Sequence, residues 1–215
     1  MDNKIAFLEK LWHSGVVAVM RADDPGKLKE AAAALAEGGI IFIEVTMTTP
    51  GALKTIEDLA ASQKNSVIGA GSVLDAETAR LTILSGAEFV VSPAINSRVI
   101  ELCRRYSKIV IPGAFTPTEV ITAWQAGADL VKIFPASLGG PDYIRALLAP
   151  LPQVRLLPTG GVEAENVADF IKAGSYAVAA GGNLVSRHLL KQRDFQGITE
   201  LARKFVTEIS RFRNR

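Results

Sequence analysis

Two charged residues stand where the surrounding residues would lead one to expect apolar ones. Lys132 lies in "LVKIFP", residues 130–135, and Glu44 in "IIFIEVT", residues 40–46. Both runs are otherwise apolar or β-branched and read as buried strands. Burying a charge is costly unless the charge is paired or used. One reading is structural: the two form an ion pair inside the protein, although desolvation of such a pair can exceed its Coulombic gain. The other is chemical. A lysine amine in a dry pocket loses its proton more easily, because burial disfavours the charged form. The free amine attacks a ketone and forms a Schiff base. The resulting iminium is an electron sink, so the carbon–carbon bond next to the former carbonyl can break or form. Protons must then move at the carbinolamine and at a substrate hydroxyl. A carboxylate such as Glu44 can carry them, directly or through one water. Two opposite charges in equivalent positions on two strands favour the chemical reading.

The elements that would hold these residues recur along the whole chain. Short apolar runs at 16–21, 40–46, 66–71, 88–93, 108–113, 129–135, 154–161 and 176–182 alternate with helical, alanine-rich segments. Helix starts are signalled by Asp24 before Pro25, by Thr49 before Pro50, and by a capping box from Thr116 to Glu119. The runs are apolar on both faces, as parallel strands covered by helices should be. Eight strand–helix units, after a short N-terminal helix, predict a single α/β domain, a (β/α)8 TIM barrel over residues 1–215. The alternative is an open doubly wound sheet, but its Gly-x-Gly-x-x-Gly turn after the first strand is absent. "GAGSVL" follows the third strand and lacks the third glycine.

In a barrel, the active groups sit at the C-terminal ends of the strands. Those ends carry Arg21, Glu44 and Thr46, then Gly71 and Ser72, Ser92 and Pro93, and Gly113. Next come Lys132 and Phe134, then Thr159, Gly160 and Gly161, and last Gly181, Gly182 and Asn183. "PTGGV" and "AAGGN" put bare backbone N–H groups in adjacent loops, a common phosphate site in barrels. A short helix over residues 183–190 would complete it.

Other chemistries find little support. The only histidines, His13 and His188, fall before the first strand and after the last, so no metal site is expected. The single cysteine, Cys103, lies on an outer helix and reads as a small core residue, and it excludes an internal disulfide. Trp12 and Trp124 read as packing. With 24 basic against 22 acidic residues, the chain has no charge excess to attract nucleic acid, and the terminal "RFRNR" reads as a solvated tail. The N-terminus carries acidic residues early and no uninterrupted apolar core, unlike a secretory signal. No apolar run approaches the length of a membrane span. A soluble cytoplasmic protein is expected.

Taken together, "IEVTMTTP", "IGAGSV", "FVVSPAIN", "IPGAFTPTE", "VKIFPAS", "LPTGGV" and "GGNLV" resemble the 2-keto-3-deoxy-6-phosphogluconate (KDPG) aldolases and their 4-hydroxy-2-oxoglutarate (KHG) aldolase relatives, over about residues 5–210 in the same order. The resemblance implies a class I aldolase on a (β/α)8 barrel, a metal-independent homotrimer with no cofactor. Such an enzyme cleaves the sugar acid to pyruvate and glyceraldehyde 3-phosphate. It implies that Lys132 forms the Schiff base and Glu44 is the acid–base. It further implies that Phe134 and Pro93 line the pyruvyl pocket, that Ser72 holds the carboxylate, and that Gly160, Gly161, Gly181 and Gly182 bind phosphate. Two positions depart from the family. Thr48 stands where many members have arginine, so Arg21 is expected to supply that charge, and Thr46 and Thr159 are expected to bind substrate as well. Asn183 replaces a phosphate-loop serine. The alternatives are the galactonate epimer or 4-hydroxy-2-oxoglutarate as substrate, and a sugar-phosphate-binding barrel without activity.

Overall fold

A computed structural model of the chain describes residues 2–213. Helix α1 (Asp2–Ser14) leads into β1 (Val16–Met20), α2 (Leu28–Glu37), β2 (Phe42–Thr46), α3 (Ala52–Ser62) and β3 (Val67–Gly71). These are followed by α4 (Ala76–Leu84), β4 (Phe89–Val91), α5 (Ser97–Arg105), β5 (Ile109–Ile111) and β6 (Gly113–Ala114). The second half runs α6 (Pro117–Gln125), β7 (Val131–Ile133), α7 (Gly140–Leu148), β8 (Leu156–Pro158), α8 (Val167–Lys172), β9 (Val178–Ala180), α9 (Arg187–Gln192) and α10 (Phe195–Arg213).

Every strand pairing is parallel. One sheet has the order β5-β4-β3-β2-β1-β9 and the other β6-β7-β8. Only Pro112, which has no N–H to give a ladder, separates β5 from β6. At the other junction, Thr159 bridges to Ala179 and the Tyr176 N–H donates to Leu156 O at 3.0 Å. The result is a curled parallel sheet covered by helices, a TIM-barrel-like α/β fold.

Strand residues alternate sides with a period of two. Ile43, Val45, Val131 and Ile133 point outward and join the apolar faces of the helices in one core. Val17, Phe42, Phe89, Ile109, Leu130 and Leu157 point inward and form a second core. α1 lies against that second core through Phe7, Leu8 and Leu11. The Phe7 ring meets Phe42 edge-on at 5.1 Å and Phe89 at 5.8 Å. The plug is tied down by polar contacts at its rim. Tyr176 donates to Leu8 O at 2.9 Å, and Lys4 pairs with Asp129 at 2.9 Å, whose carboxylate also accepts the Val110 N–H.

Several local expectations need correction. The strands are shorter than the apolar runs, because glycines and prolines at the strand ends turn the chain: the run 154–161 contributes only Leu156–Pro158. Thr49 does not cap α3. That helix starts at Ala52 behind Gly51, while Thr49 is buried and accepts the Ala22 N–H at 3.4 Å. Thr49 thus joins the loop after β1 to the loop after β2. Asp24 caps a single 3-10 turn ahead of α2, through the Gly26 N–H. The Thr116–Glu119 capping box is present. Cys103 is buried on α5, and burial pushes its thiol up to about 12, which makes it a poor nucleophile. The basic tail is not free at Arg213, whose guanidinium lies over the Trp12 ring at 4.8 Å and donates to Tyr176 O at 2.5 Å. Its last two residues lie outside the described range. Trp124 packs against the main core. Among the described residues, no helix is long and apolar enough to cross a membrane.

Candidate active site

At the C-terminal ends of several strands the inward positions turn polar. On β2, Phe42 faces the plug, and Glu44 and Thr46 continue the same row. On the strand carrying β7, Leu130 faces the plug, and Lys132 and Phe134 continue it. Val19 and Arg21 extend the β1 row, Pro93 that of β4, Thr159 that of β8 and Gly181 that of β9. These residues enclose a cavity of about 560 Å³ that Ser72, Gly160, Gly161, Gly182 and Asn183 also line. Every residue singled out in the sequence as catalytic, substrate-binding or phosphate-binding therefore borders one space. Ser92 does not. It has the opposite parity to Pro93, and its hydroxyl is buried without a partner.

Glu44 and Lys132 come from different sheets, since β2 pairs with β1 and β3 whereas β7 pairs with β6 and β8. Both are buried, at 1% and 7% exposure. They are not the ion pair that the structural reading requires, because no such contact lies within 4.0 Å. Instead Glu44 Oε2 is buried with no hydrogen-bond partner. Burial raises the Glu44 carboxyl above its ordinary range, and the nearby charges of Lys132 and Arg21 only partly offset this. A carboxyl held toward its protonated form, beside a lysine and unpaired, is equipped to give and take protons. Its position depends on Gly71. A Cβ there would sit 1.7 Å from Glu44 Oε1, so any larger residue at 71 would displace the carboxylate.

The rest of the wall has its own order. Lys132 Nζ is 5.0 Å from the Phe134 ring centroid, and Phe134 is partly open to solvent at the mouth. Arg21 Nε approaches Thr46 Oγ1 at 3.5 Å, and that hydroxyl also contacts Thr48 at 3.0 Å and Thr49 at 3.4 Å. The threonine at 48 therefore belongs to a hydroxyl cluster that orients Arg21. Ser72 holds a left-handed backbone, φ 57°, which costs a non-glycine residue roughly 1–2 kcal/mol and is often found at functional sites.

The glycine loops divide in kind. Gly160 and Gly161 need their left-handed φ of 90° and 75°, whereas Gly182 has ordinary φ and open space where a Cβ would be. Asn183 borders the cavity, but its amide N–H groups are already engaged. Its Nδ2 donates to Glu163 Oε1 at 3.0 Å and Val162 O at 3.4 Å. The expected helix over 183–190 starts only at Arg187, because the Leu184 and Val185 N–H groups turn back onto Gly181 O. Four lining residues escaped the sequence reading: Val19, Val162, Val185 and Arg187. Val19 could have been found by its parity with Arg21. Arg187 lay inside the 183–190 segment expected at the phosphate end, but nothing singled it out from its neighbours there. With Arg21, Lys132 and Arg187 against one carboxyl held toward neutrality, the cavity favours an anionic ligand. Neither histidine lines it. Among the described residues, no group of three or more His, Cys, Asp or Glu side chains could hold a metal ion.

Comparison with known proteins places the chain in a family. Residues 8–201 match the family model for KDPG and KHG aldolases. A 2-dehydro-3-deoxy-phosphogluconate aldolase of Haemophilus influenzae is 32% identical over 93% of this chain and 94% of its own. A 2-dehydro-3-deoxy-6-phosphogalactonate aldolase of Escherichia coli is 35% identical over 79% of this chain and 83% of its own. Among solved structures, the KDPG aldolase of Legionella pneumophila, with pyruvate captured at low pH as a covalent carbinolamine, superposes with a TM-score of 0.85. It is 28% identical, over 91% of this chain and 96% of its own. The chain belongs to the KDPG and KHG aldolase family and is a lyase of the aldolase type.

Proposed function

We propose that the cavity cleaves 2-keto-3-deoxy-6-phosphogluconate to pyruvate and D-glyceraldehyde 3-phosphate through a Schiff base on Lys132, without a metal. The observation that carries this reading is the pair of buried groups, Lys132 and Glu44, which border one cavity and do not neutralise each other. Lys132 Nζ attacks the C2 ketone, and Glu44 donates the proton that lets the carbinolamine lose water. The C4 hydroxyl then gives its proton to Glu44 as the C3–C4 bond breaks, and the bonding electrons pass into the iminium to form an enamine. The aldehyde leaves, Glu44 returns a proton to C3, and water hydrolyses the pyruvate imine. Arg21, oriented by Thr46, and Ser72 hold the substrate carboxylate. Phe134, Pro93 and Thr159 wall the pyruvyl part, and the glycine loops receive the phosphate.

The same chemistry on 4-hydroxy-2-oxoglutarate is the second reading. It is favoured by Asn183, whose amide N–H groups are engaged by Glu163 and Val162 rather than left for a phosphate. The galactonate epimer is a third, suggested by the E. coli relative. The reading further takes the two sheets as one closed (β/α)8 barrel domain, with β5 and β6 as one strand bent at Pro112, supported by the Thr159–Ala179 bridge. It takes the enzyme as a homotrimer, supported by the exposed Leu81 and Leu84 on α4 with Leu74 and Tyr106.

Borohydride reduction in the presence of pyruvate, read by peptide mass spectrometry, tests the mechanism. A reduced pyruvyl adduct on Lys132 is expected. An adduct that persists in Lys132→Ala, or none in the unaltered protein, overturns it.

A further inference from the structure

Among the described residues, the Schiff-base chemistry leaves one cation of the cavity wall unused. Arg187 borders the main cavity and also a side cavity of about 290 Å³, whose other walls include Ala22, Asp23, Asp24, Lys27 and Lys191. Among the described residues, it alone lines both. Its guanidinium is largely exposed, and the acidic partner it meets is Asp23, at 3.9 Å, across in the loop after β1. So long and exposed a pair holds the side chain weakly. The side chain that the sequence offered as the anion donor at this end, Asn183, spends its amide on Glu163 and Val162. Backbone N–H groups and one mobile cation therefore remain to meet the distal end of a ligand.

We propose that Arg187 is the specificity-determining residue for a distal phosphate and that Asp23 competes with the ligand for it. This rests on the aldolase reading of the same cavity. When a phosphorylated substrate binds, the guanidinium leaves Asp23 in the side cavity and turns to the phosphate in the main one. A phosphate presents more charge and more acceptor oxygens than the Asp23 carboxylate, in a geometry that suits a bidentate guanidinium. A substrate that ends short of Arg187 neither gains from it nor must displace Asp23. The pair thus favours phosphorylated over short, unphosphorylated substrates, and the favour is reduced by whatever fraction of Arg187 Asp23 retains.

The logic gives two substitutions of opposite sign. The quantity to measure is the ratio of kcat/KM for KDPG over kcat/KM for 4-hydroxy-2-oxoglutarate. Arg187→Ala is expected to lower that ratio roughly 10-fold or more, the scale of one lost charge-assisted hydrogen bond. Asp23→Asn is expected to raise it about 2- to 5-fold, the scale of a released surface pair. In the Arg187→Ala background, Asp23→Asn should change nothing further. Arg203→Ala serves as the charge control, because Arg203 pairs with Glu37 on the outer helices. A structural role for the Asp23–Arg187 contact would move both single variants in the same direction and overturn the proposal. So would an unchanged ratio in Arg187→Ala, or an equal fall in Arg203→Ala. Borohydride trapping with pyruvate alone, which does not reach Arg187, separates the two levels. Absence of a Lys132 adduct in the unaltered protein rejects the aldolase reading, whereas an adduct with an unmoved ratio rejects only the role of Arg187.

Discussion

Phe42 and Glu44 lie two residues apart on the same face of β2, and their surroundings could hardly differ more. Phe42 is sealed between Phe7 and Phe89 in a dry aromatic plug. Glu44 is equally buried, yet one of its oxygens has no partner. The same contrast repeats around the sheet, with Leu130 against Lys132, Leu157 against Thr159, and Val17 against Arg21. Each of these rows starts apolar and reaches a polar side chain toward the cavity. The plug end follows the rule that buried groups should be apolar or satisfied, and the cavity end breaks it. The rule is broken where unpaired buried charge has chemical use, so the plug supplies stability that the cavity end consumes.

This contrast can be broken from either end. Lys132→Ala removes the attacking amine, and turnover is expected to fall roughly 10⁴-fold or more, the scale of losing a covalent nucleophile. Lys132→Met should in addition leave the fold as stable or more so, since it replaces a buried cation by apolar volume. Unfolding midpoints in denaturant would detect the opposite. At the other end, Phe42→Ala should cost about 3–5 kcal/mol of stability, the usual scale for a truncated core aromatic. Borohydride trapping of whatever protein remains folded should still succeed. A Phe42 variant that loses the adduct while staying folded would mean that the two ends are not separable.

Glu44→Gln comes next, with turnover expected to fall roughly 100-fold, the scale of a lost acid–base group. Turnover near that of the unaltered enzyme would remove Glu44 from its role. Two glycines on β3 then make a matched pair. A Cβ on Gly69 would meet Phe89 at 2.4 Å, and one on Gly71 would meet Glu44 Oε1 at 1.7 Å. Gly69→Ala is expected to cost about 1–3 kcal/mol of stability, as overpacking does. Gly71→Ala is expected to cost roughly 10- to 100-fold in turnover, as a displaced catalytic group does. In the Glu44→Gln background, Gly71→Ala should cost much less activity than it does alone. Equal losses in the two backgrounds would show that Gly71 acts on something other than Glu44.

Much of this was legible in the residues themselves. Apolar runs alternating with capped helices carried the α/β architecture, and charges inside such runs located Glu44 and Lys132. What stayed hidden depended on distances between segments far apart in the chain. Thr49 looks like a helix cap because threonine before proline usually is one. Its hydroxyl instead answers an N–H on a different loop. Asn183 looks like a phosphate donor until Glu163 is brought within 3.0 Å. Gly71 reads as one more strand-end glycine until Glu44 occupies the space beside it. Arg187 sits between Ser186 and His188, so its charge did not stand out from its immediate neighbours.

The smallest expected effect is the most direct measure of what the cavity end costs. Glu44 has its carboxyl raised from 4.5 by burial, against the pull of Lys132 and Arg21. The folded protein therefore holds this proton more tightly than the unfolded chain does. Between the unfolded value and the raised folded one, folding takes up a proton, so stability falls as pH rises through that window. Below it both states are protonated and the cost vanishes; above it both are ionised and the cost is complete. Glu44→Gln removes the group, so the variant should gain on the unaltered protein at pH 8, and the gain should shrink as pH is lowered toward 4. Denaturant midpoints at the two pH values, with unchanged slope, give the comparison. Phe42→Ala, which alters no titratable group, should show a stability loss that pH hardly moves. A Glu44→Gln gain that is constant with pH, or that grows as pH falls, would mean that folding does not raise the carboxyl, and that the cavity end costs the fold no more than the plug does.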